Sequence, residues 1–215
     1  MTDPQVRRRV MLVLVLGCLM LFGALLAIDK AREAREDPAA TNIATRGFAG
    51  SPLPDGFKAP AFDLRDQEGN RVRDVDLRGR PALITFAYSV CEESCPAQLQ
   101  LMRKTLAKLE RPIPAYAISV DPRTDTPSSA RKFLLEQRVA GQIDFVLGSR
   151  RQLRPVWKGY AIQPQTDDLE HHARIVLLDA RGFQRLGYSV SDVTGEQLAD
   201  DVRRLERGVD PNASS

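Results

Sequence analysis

The chain has 215 residues, a net charge of +3, and hydrophobic and charged fractions of 43% and 27%, a composition that suits one globular domain with appendages and excludes a fibrous or wholly disordered chain. Its basic residues are scattered, which argues against nucleic acid as a partner. Three cysteines are too few for a small fold held together by disulfides.

From Val10 to Ile28 the run VMLVLVLGCLMLFGALLAI carries no charge, close to the roughly 20 residues with which a helix crosses a bilayer. Arg7, Arg8 and Arg9 precede it, and such residues stay on the cytoplasmic side. The expectation is a cytoplasmic segment over 1–9, an uncleaved anchor over 10–28, and the remainder on the far side of the membrane. A cleaved signal peptide competes with this reading, but its apolar region is shorter and ends in a small-x-small site. Cys18 sits inside the run, and the apolar residues that continue past it argue against lipoprotein-type cleavage there.

Residues 29–55 are charged, then rich in Ala, Gly, Ser and Pro, and read as a flexible tether. The folded domain is expected over 56–208. Within it, APAFDLRDQEGNRVRDVDLRG alternates apolar and polar positions around Glu68, Gly69 and Asn70, the pattern of a short hairpin. PALITFAYS (81–89) is a nearly continuous apolar run, as in a central strand covered on both faces. A helix follows, with Ser94 as its cap, Pro96 in its first turn, and Leu99, Met102, Leu106 and Leu109 at helical spacing. IPAYAISV (113–120) is a second buried strand. Thr126 and Pro127 start the next helix, with Phe133, Leu134 and Val139 on one side. QIDFVLG is a third strand and RQLRPVWKGYAI a proline-interrupted helical piece in which Trp157 and Tyr160 are packing residues. ARIVLLDARGFQRLGYS is a hairpin turning at Ala180, Arg181 and Gly182, and an amphipathic helix with Leu198, Val202 and Leu205 inward closes the domain. Residues 209–215 read as a disordered tail. Strands alternating with helices, then a hairpin and a last helix, give a mixed sheet flanked by helices; with a cysteine motif between the first long strand and its helix, this is an α/β, thioredoxin-like fold.

FKAPAFDLRDQEG, LITFAYSVCEESCP, AISVDPRTDTP and HHARIVLLDARG together resemble, in the same order, the landmarks of the Sco/SenC family, over about residues 52–208. The resemblance implies a thioredoxin-fold, membrane-tethered copper carrier that assists assembly of the binuclear copper centre of cytochrome c oxidase. It implies Cys91, Cys95 and His171 as metal ligands for Cu(I) or Cu(II), with Cys91 and Cys95 also the redox-active pair in members with a thiol–disulfide role. The implied partners are the copper-bearing subunit of the oxidase and, beyond it, another periplasmic copper chaperone or a thioredoxin-like reductant. The implied location is the bacterial inner membrane, single-pass, with the folded domain in the periplasm.

The residues carry chemistry of their own. If the helix begins near Ser94, Cys95 lies on its apolar face and Cys91 in the loop before it, so one thiol is exposed and the other half sheltered near a helix N-terminus that favours thiolate. A separation of four on a helix-like turn puts the side chains roughly 5–6 Å apart, near enough to close a disulfide or to face one ion. Two thiolates and an imidazole make a soft site suited to copper, with zinc as competitor. The chain's two histidines, His171 and His172, are adjacent just before a strand, where alternation lets only one face the cysteines. Glu92 and Glu93 disfavour a free thiolate and attract a cation. Asp121, at the end of a buried strand, is a candidate for orienting the cysteine loop or meeting a partner, whereas Asp125, Thr126 and Pro127 are accounted for by turn and cap chemistry. The alternative function is a thiol–disulfide reductase that keeps the oxidase's copper-ligand cysteines reduced. It needs no histidine, but the segment before Ala173 lacks the proline that thioredoxin-like reductases set opposite their cysteines. A peroxiredoxin-like reading would want Thr-x-x-Cys, where this chain has Tyr88-Ser89-Val90 before Cys91.

Overall fold

The computed structural model describes residues 47–92, 94–164 and 174–213, together with Leu14 and Met20. The rest of the expected anchor, with Cys18 and the tether up to residue 46, lies outside the described residues; Leu14 and Met20 are both helical and exposed. Among the described residues no helix is long and apolar enough to cross a membrane.

A short strand β1 (Ser51–Pro52) leads to the ribbon β2 (Asp63–Arg65) and β3 (Arg71–Arg73), then a 3-10 turn over Asp74–Leu77. There follow β4 (Ala82–Ala87), α1 (Ser94–Leu106), β5 (Ala115–Ser119), α2 (Pro127–Glu136), β6 (Asp144–Val146) and α3 (Arg150–Gly159). The strands β7 (Ile175–Leu178) and β8 (Gln184–Tyr188) and the helix α4 (Gly195–Glu206) complete the fold. The main sheet has the order β1-β8-β7-β4-β5-β6. β4, β5 and β6 are parallel neighbours, joined through α1 and α2 as parallel pairing demands, while β1, β8, β7 and β4 pair antiparallel. This is the mixed, helix-flanked sheet that the order of elements predicts.

β4 is buried along its whole length because both faces of the sheet are covered. Leu83 and Ala87 join Leu99, Met102, Phe133 and Phe145 on one side, and Ala82, Ile84 and Phe86 join Val156 and Trp157 on the other. Thr126 Oγ1 accepts the Ser129 N–H at 3.1 Å and Pro127 opens α2, as its sequence predicts. α3 runs through Pro155 instead of being interrupted by it; Pro155 is exposed, so water can reach the carbonyl it leaves without a helical partner. At Gly195 a Cβ would fall 2.7 Å from the Lys104 Cβ and 3.0 Å from backbone atoms of Lys104 and Thr105. The start of α4 therefore lies directly on the end of α1, which fixes the helix following the cysteine loop from its far end.

Both expected boundaries of the domain move outward. Phe48 is buried, and Ala49 and Gly50 donate their N–H groups to the Asp201 carboxylate at 3.0 and 2.9 Å, beside the Tyr188 hydroxyl at 3.0 Å. The buried Arg185 pairs with Asp55 at 3.0 Å and with Asp210, and the Asn212 amide donates to the Leu53 carbonyl at 2.8 Å. Residues 47–55, expected as tether, and 209–213, expected as disordered tail, are thus bound along β8. Their composition is poor in apolar side chains, but the strand edge and two buried charges supply partners that composition cannot reveal. A chain begun at residue 56 is expected to be less stable than one begun at residue 45 by on the order of 3–5 kcal/mol, from lost burial of Phe48 and from the partners that Asp201 loses in Ala49 and Gly50 and Arg185 in Asp55. Equal thermal midpoints for the two would show that these contacts contribute nothing.

Candidate metal and redox centre

Cys91 and Cys95 are joined by a disulfide, with Cα atoms 5.9 Å apart, a spacing ordinary for that bond. Of the two states open at the level of sequence, a closed disulfide or two thiols facing one ion, the pair is present as the disulfide. β4 delivers the loop: Val120 N–H bonds to the Ala87 carbonyl at 3.0 Å, and the Cys91 N–H turns back to the Tyr88 carbonyl at 3.1 Å. Ser94 is the first residue of α1, not its cap; Cys91 Sγ accepts the Cys95 N–H at 3.2 Å and lies 3.6 Å from Ser94 Oγ. A sulfur at the N-terminus of a helix of this length receives partial positive charge, which in the reduced form favours thiolate.

The expected exposure of Cys91 is corrected. Cys95 is 0% and Cys91 7% exposed, because the bond draws Cys91 down onto the helix N-terminus while its neighbours Val90 and Glu92 remain exposed. His171, His172 and Glu93 lie outside the described residues, and among the described ones no cluster of three metal-ligating side chains forms. The hollow of about 710 Å³ between the β2–β3 ribbon and Gln152, lined in part by Asp125 and Pro127, touches neither cysteine.

The roles of two aspartates are exchanged relative to the sequence reading. Asp121 spends its carboxylate within its own turn, accepting from Arg123 N–H at 3.2 Å, Arg123 Nε at 3.1 Å and Thr124 Oγ1 at 3.0 Å. Burial opposes its ionised form, but these donors outweigh that and hold its carboxyl below the usual range. Asp125 is the one that reaches the cysteine loop: it accepts the Ser89 N–H at 2.7 Å and the Ser119 hydroxyl at 2.5 Å. Ser89 Oγ also donates to Ser129 Oγ at 2.9 Å, so the loop is tied to the start of α2 twice. Burial pushes the Asp125 carboxyl up, against these hydrogen bonds. Trp157 is a packing residue as expected, but its Nε1–H also holds the Ser119 carbonyl at 2.8 Å, steadying the residue that bonds Asp125. One signal in the sequence points to Asp125: Thr126 already caps α2, which leaves the preceding aspartate free for another task.

The arrangement is that of two sulfurs sharing a loop pinned at both sides, able to exist as a disulfide or, reduced, to present two thiolates to a soft ion. The family model described as SCO1/SenC matches residues 53–207. Protein SCO2 homolog, mitochondrial, of Bos taurus is 26% identical over 216 aligned positions, covering 94% of this chain and 76% of the relative. The structure of Bradyrhizobium japonicum ScoI with copper bound is similar at 28% identity and a TM-score of 0.56, over 73% of this chain and 98% of that one. Yeast Sco1, at 21% identity and a TM-score of 0.62 over 71% and 99% of the two chains, shares the fold.

Proposed function

Since the chain belongs to the SCO1/SenC family, we propose that it is a membrane-anchored periplasmic copper metallochaperone that assists assembly of the binuclear copper centre of cytochrome c oxidase. The observation that carries this reading is the Cys91–Cys95 pair at the N-terminus of α1. The donor set fits copper: two sulfurs of one short loop are soft ligands, and a helix N–H aimed at one of them favours the deprotonated form that binds metal. His171 is the proposed third ligand, on the strength of the family resemblance. The copper-bound ScoI of Bradyrhizobium japonicum supports copper as the cargo.

Loading requires reduction. The S–S bond takes two electrons and two protons from a dithiol reductant, which leaves as a disulfide, and the two thiols of Cys91 and Cys95 then lose their protons on binding the ion. A shell of two sulfurs and one nitrogen leaves room for a ligand of the receiving subunit to enter before the cargo departs. The test is titration of the full chain with copper in its reduced and oxidised forms, read by absorption and EPR. One ion per reduced chain and none per oxidised chain is expected; tight binding to the oxidised chain overturns the assignment. His171→Ala should weaken Cu(II) binding by at least about tenfold and His172→Ala far less. A larger loss at His172 would move the ligand to the neighbouring ring.

The observed disulfide favours one second reading, a thiol–disulfide reductase acting on the oxidase's copper-ligand cysteines. In that role the Cys91 and Cys95 thiols give two electrons to the partner's disulfide, and this S–S bond is the product. Glu92 and Glu93 would bias the pair toward holding a metal over fast thiol attack. Changing both to Gln is expected to speed alkylation of reduced Cys91 and loosen copper about two- to threefold at low salt. Both effects should fade as ionic strength rises, since exposed charges are screened within roughly 8 Å at physiological salt. Unchanged alkylation and affinity at low salt would leave the two glutamates as solvated charges only.

A further inference from the structure

Thr85 and Gln98 are both fully buried, one on β4 and the other on α1, three residues beyond Cys95. Thr85 Oγ1 lies 3.0 Å from the Arg174 carbonyl and in hydrogen-bond contact with Gln98 Oε1, while Gln98 Nε2 has no partner. The donors do not balance as drawn, because a hydroxyl has one proton and both of these neighbours are acceptors. The Arg174 carbonyl can only accept, so the Thr85 proton belongs to it. The group that Gln98 turns toward Thr85 must then be its NH2, the two ends of an amide being exchangeable by a half-turn. That single change gives Nε2 a partner and moves the unpartnered end of the amide to Oε1, the less costly of the two to leave unpaired. The outcome is a one-way chain from Gln98 Nε2–H to Thr85 Oγ1, and from Thr85 O–H to the carbonyl of the half-buried Arg174, with the first link wholly out of water.

We propose that this relay makes Gln98 a positioning residue, holding the Cys95 end of α1 in register with the backbone at Arg174, immediately before β7. Gln98 is at i+3 from Cys95 and thus on its side of the helix. Arg174 is three residues after His171 in the chain, and Thr85 lies opposite Ile175 in the β4–β7 register. The relay therefore spans the two segments that supply sulfur and imidazole in the copper reading, on which this inference rests. Two thiolates alone can satisfy Cu(I), whereas Cu(II) relies on the imidazole, so a positioning role predicts an effect that depends on oxidation state.

The test uses the full chain and the variants Gln98→Leu, Thr85→Val and Thr85→Ser. In the oxidised, metal-free chain, a double-mutant cycle of Gln98→Leu with Thr85→Val is read by thermal midpoint. The double variant should lose little more than either single one, because either change breaks the same chain; additive losses overturn the relay. In the reduced chain, Gln98→Leu and Thr85→Val should each weaken Cu(II) binding about tenfold and shift its EPR signature, with Cu(I) affinity changed less than about threefold. Thr85→Ser, which keeps the hydroxyl, should restore the wild-type Cu(II) spectrum even if its thermal midpoint falls. Equal losses for both oxidation states, or a Cu(II) spectrum that stays wild-type in Gln98→Leu, would reduce Gln98 to a structural residue. A wild-type chain that binds no copper overturns the function proposed above, and the relay is then decided by the thermal cycle alone.

Discussion

Replacement of either Cys91 or Cys95 by serine is expected to lower the copper affinity of the reduced chain by at least ~100-fold, exceeding what loss of an outer-shell contact costs. The two sulfurs are bonded to each other in the oxidised fold, so their reduced forms leave the same loop and can face one ion without rearranging β4 or α1. Serine keeps the size of the side chain but offers a hard, neutral oxygen that is a poor ligand for copper. Stability and affinity should also separate. Loss of the disulfide removes a cross-link closing a tiny loop, which restrains the unfolded chain little, so the variants should remain folded while binding fails. Competition against a Cu(I) chelator of known affinity, beside a thermal melt, measures both. Stoichiometric, tight copper in the doubly substituted chain would remove the site from this loop altogether.

Asp125→Ala is expected to cost about 2–4 kcal/mol, because it strands the Ser89 N–H and the Ser119 hydroxyl in a buried setting. The same change frees the loop ahead of Cys91, so copper affinity should fall with it. Asp125→Asn is the informative partner: its carbonyl can accept from Ser89 and its NH2 can donate to Ser119, so loop and affinity should be kept. The two neutral-pH outcomes are joined by a dependence on pH. Burial holds the Asp125 carboxyl above its ordinary range. An acid raised in this way contributes stability that is fully present below its unfolded value and is lost as pH rises through its folded value. The asparagine variant, which has no such proton, should therefore gain on the native chain as pH climbs from about 4 toward neutrality. A difference in unfolding free energy that stays flat over this range, or that changes in the opposite direction, would rule out a buried, raised carboxyl at this position.

Elements whose cause lies within a few residues were legible before any coordinates. The apolar run 81–89 reads, by its length and continuity, as a strand covered on both faces, and Ala82–Ala87 is that strand. Thr126 and Pro127 start a helix by local hydrogen bonding and ring geometry, and a CxxxCP segment after a buried strand brings two sulfurs together by covalent spacing alone. These forces act over one turn of helix or one pleat, and the residue types that satisfy them can be read off the chain. Partnerships across the fold were not legible in the same way. Asp121 and Asp125 are equally good turn residues, and their roles diverge because parallel pairing of β4 with β5 brings Ser89 within reach of Asp125. Phe48, Ala49 and Gly50 belong to the fold because α4 and β8 supply Asp201 and Tyr188 to receive them. Cys91 is buried because its bond to Cys95 pulls it onto a helix end that local periodicity left open to solvent. In each case the deciding energy is the cost of an unpaired polar group or an unburied ring, and its partner is set by packing between distant segments.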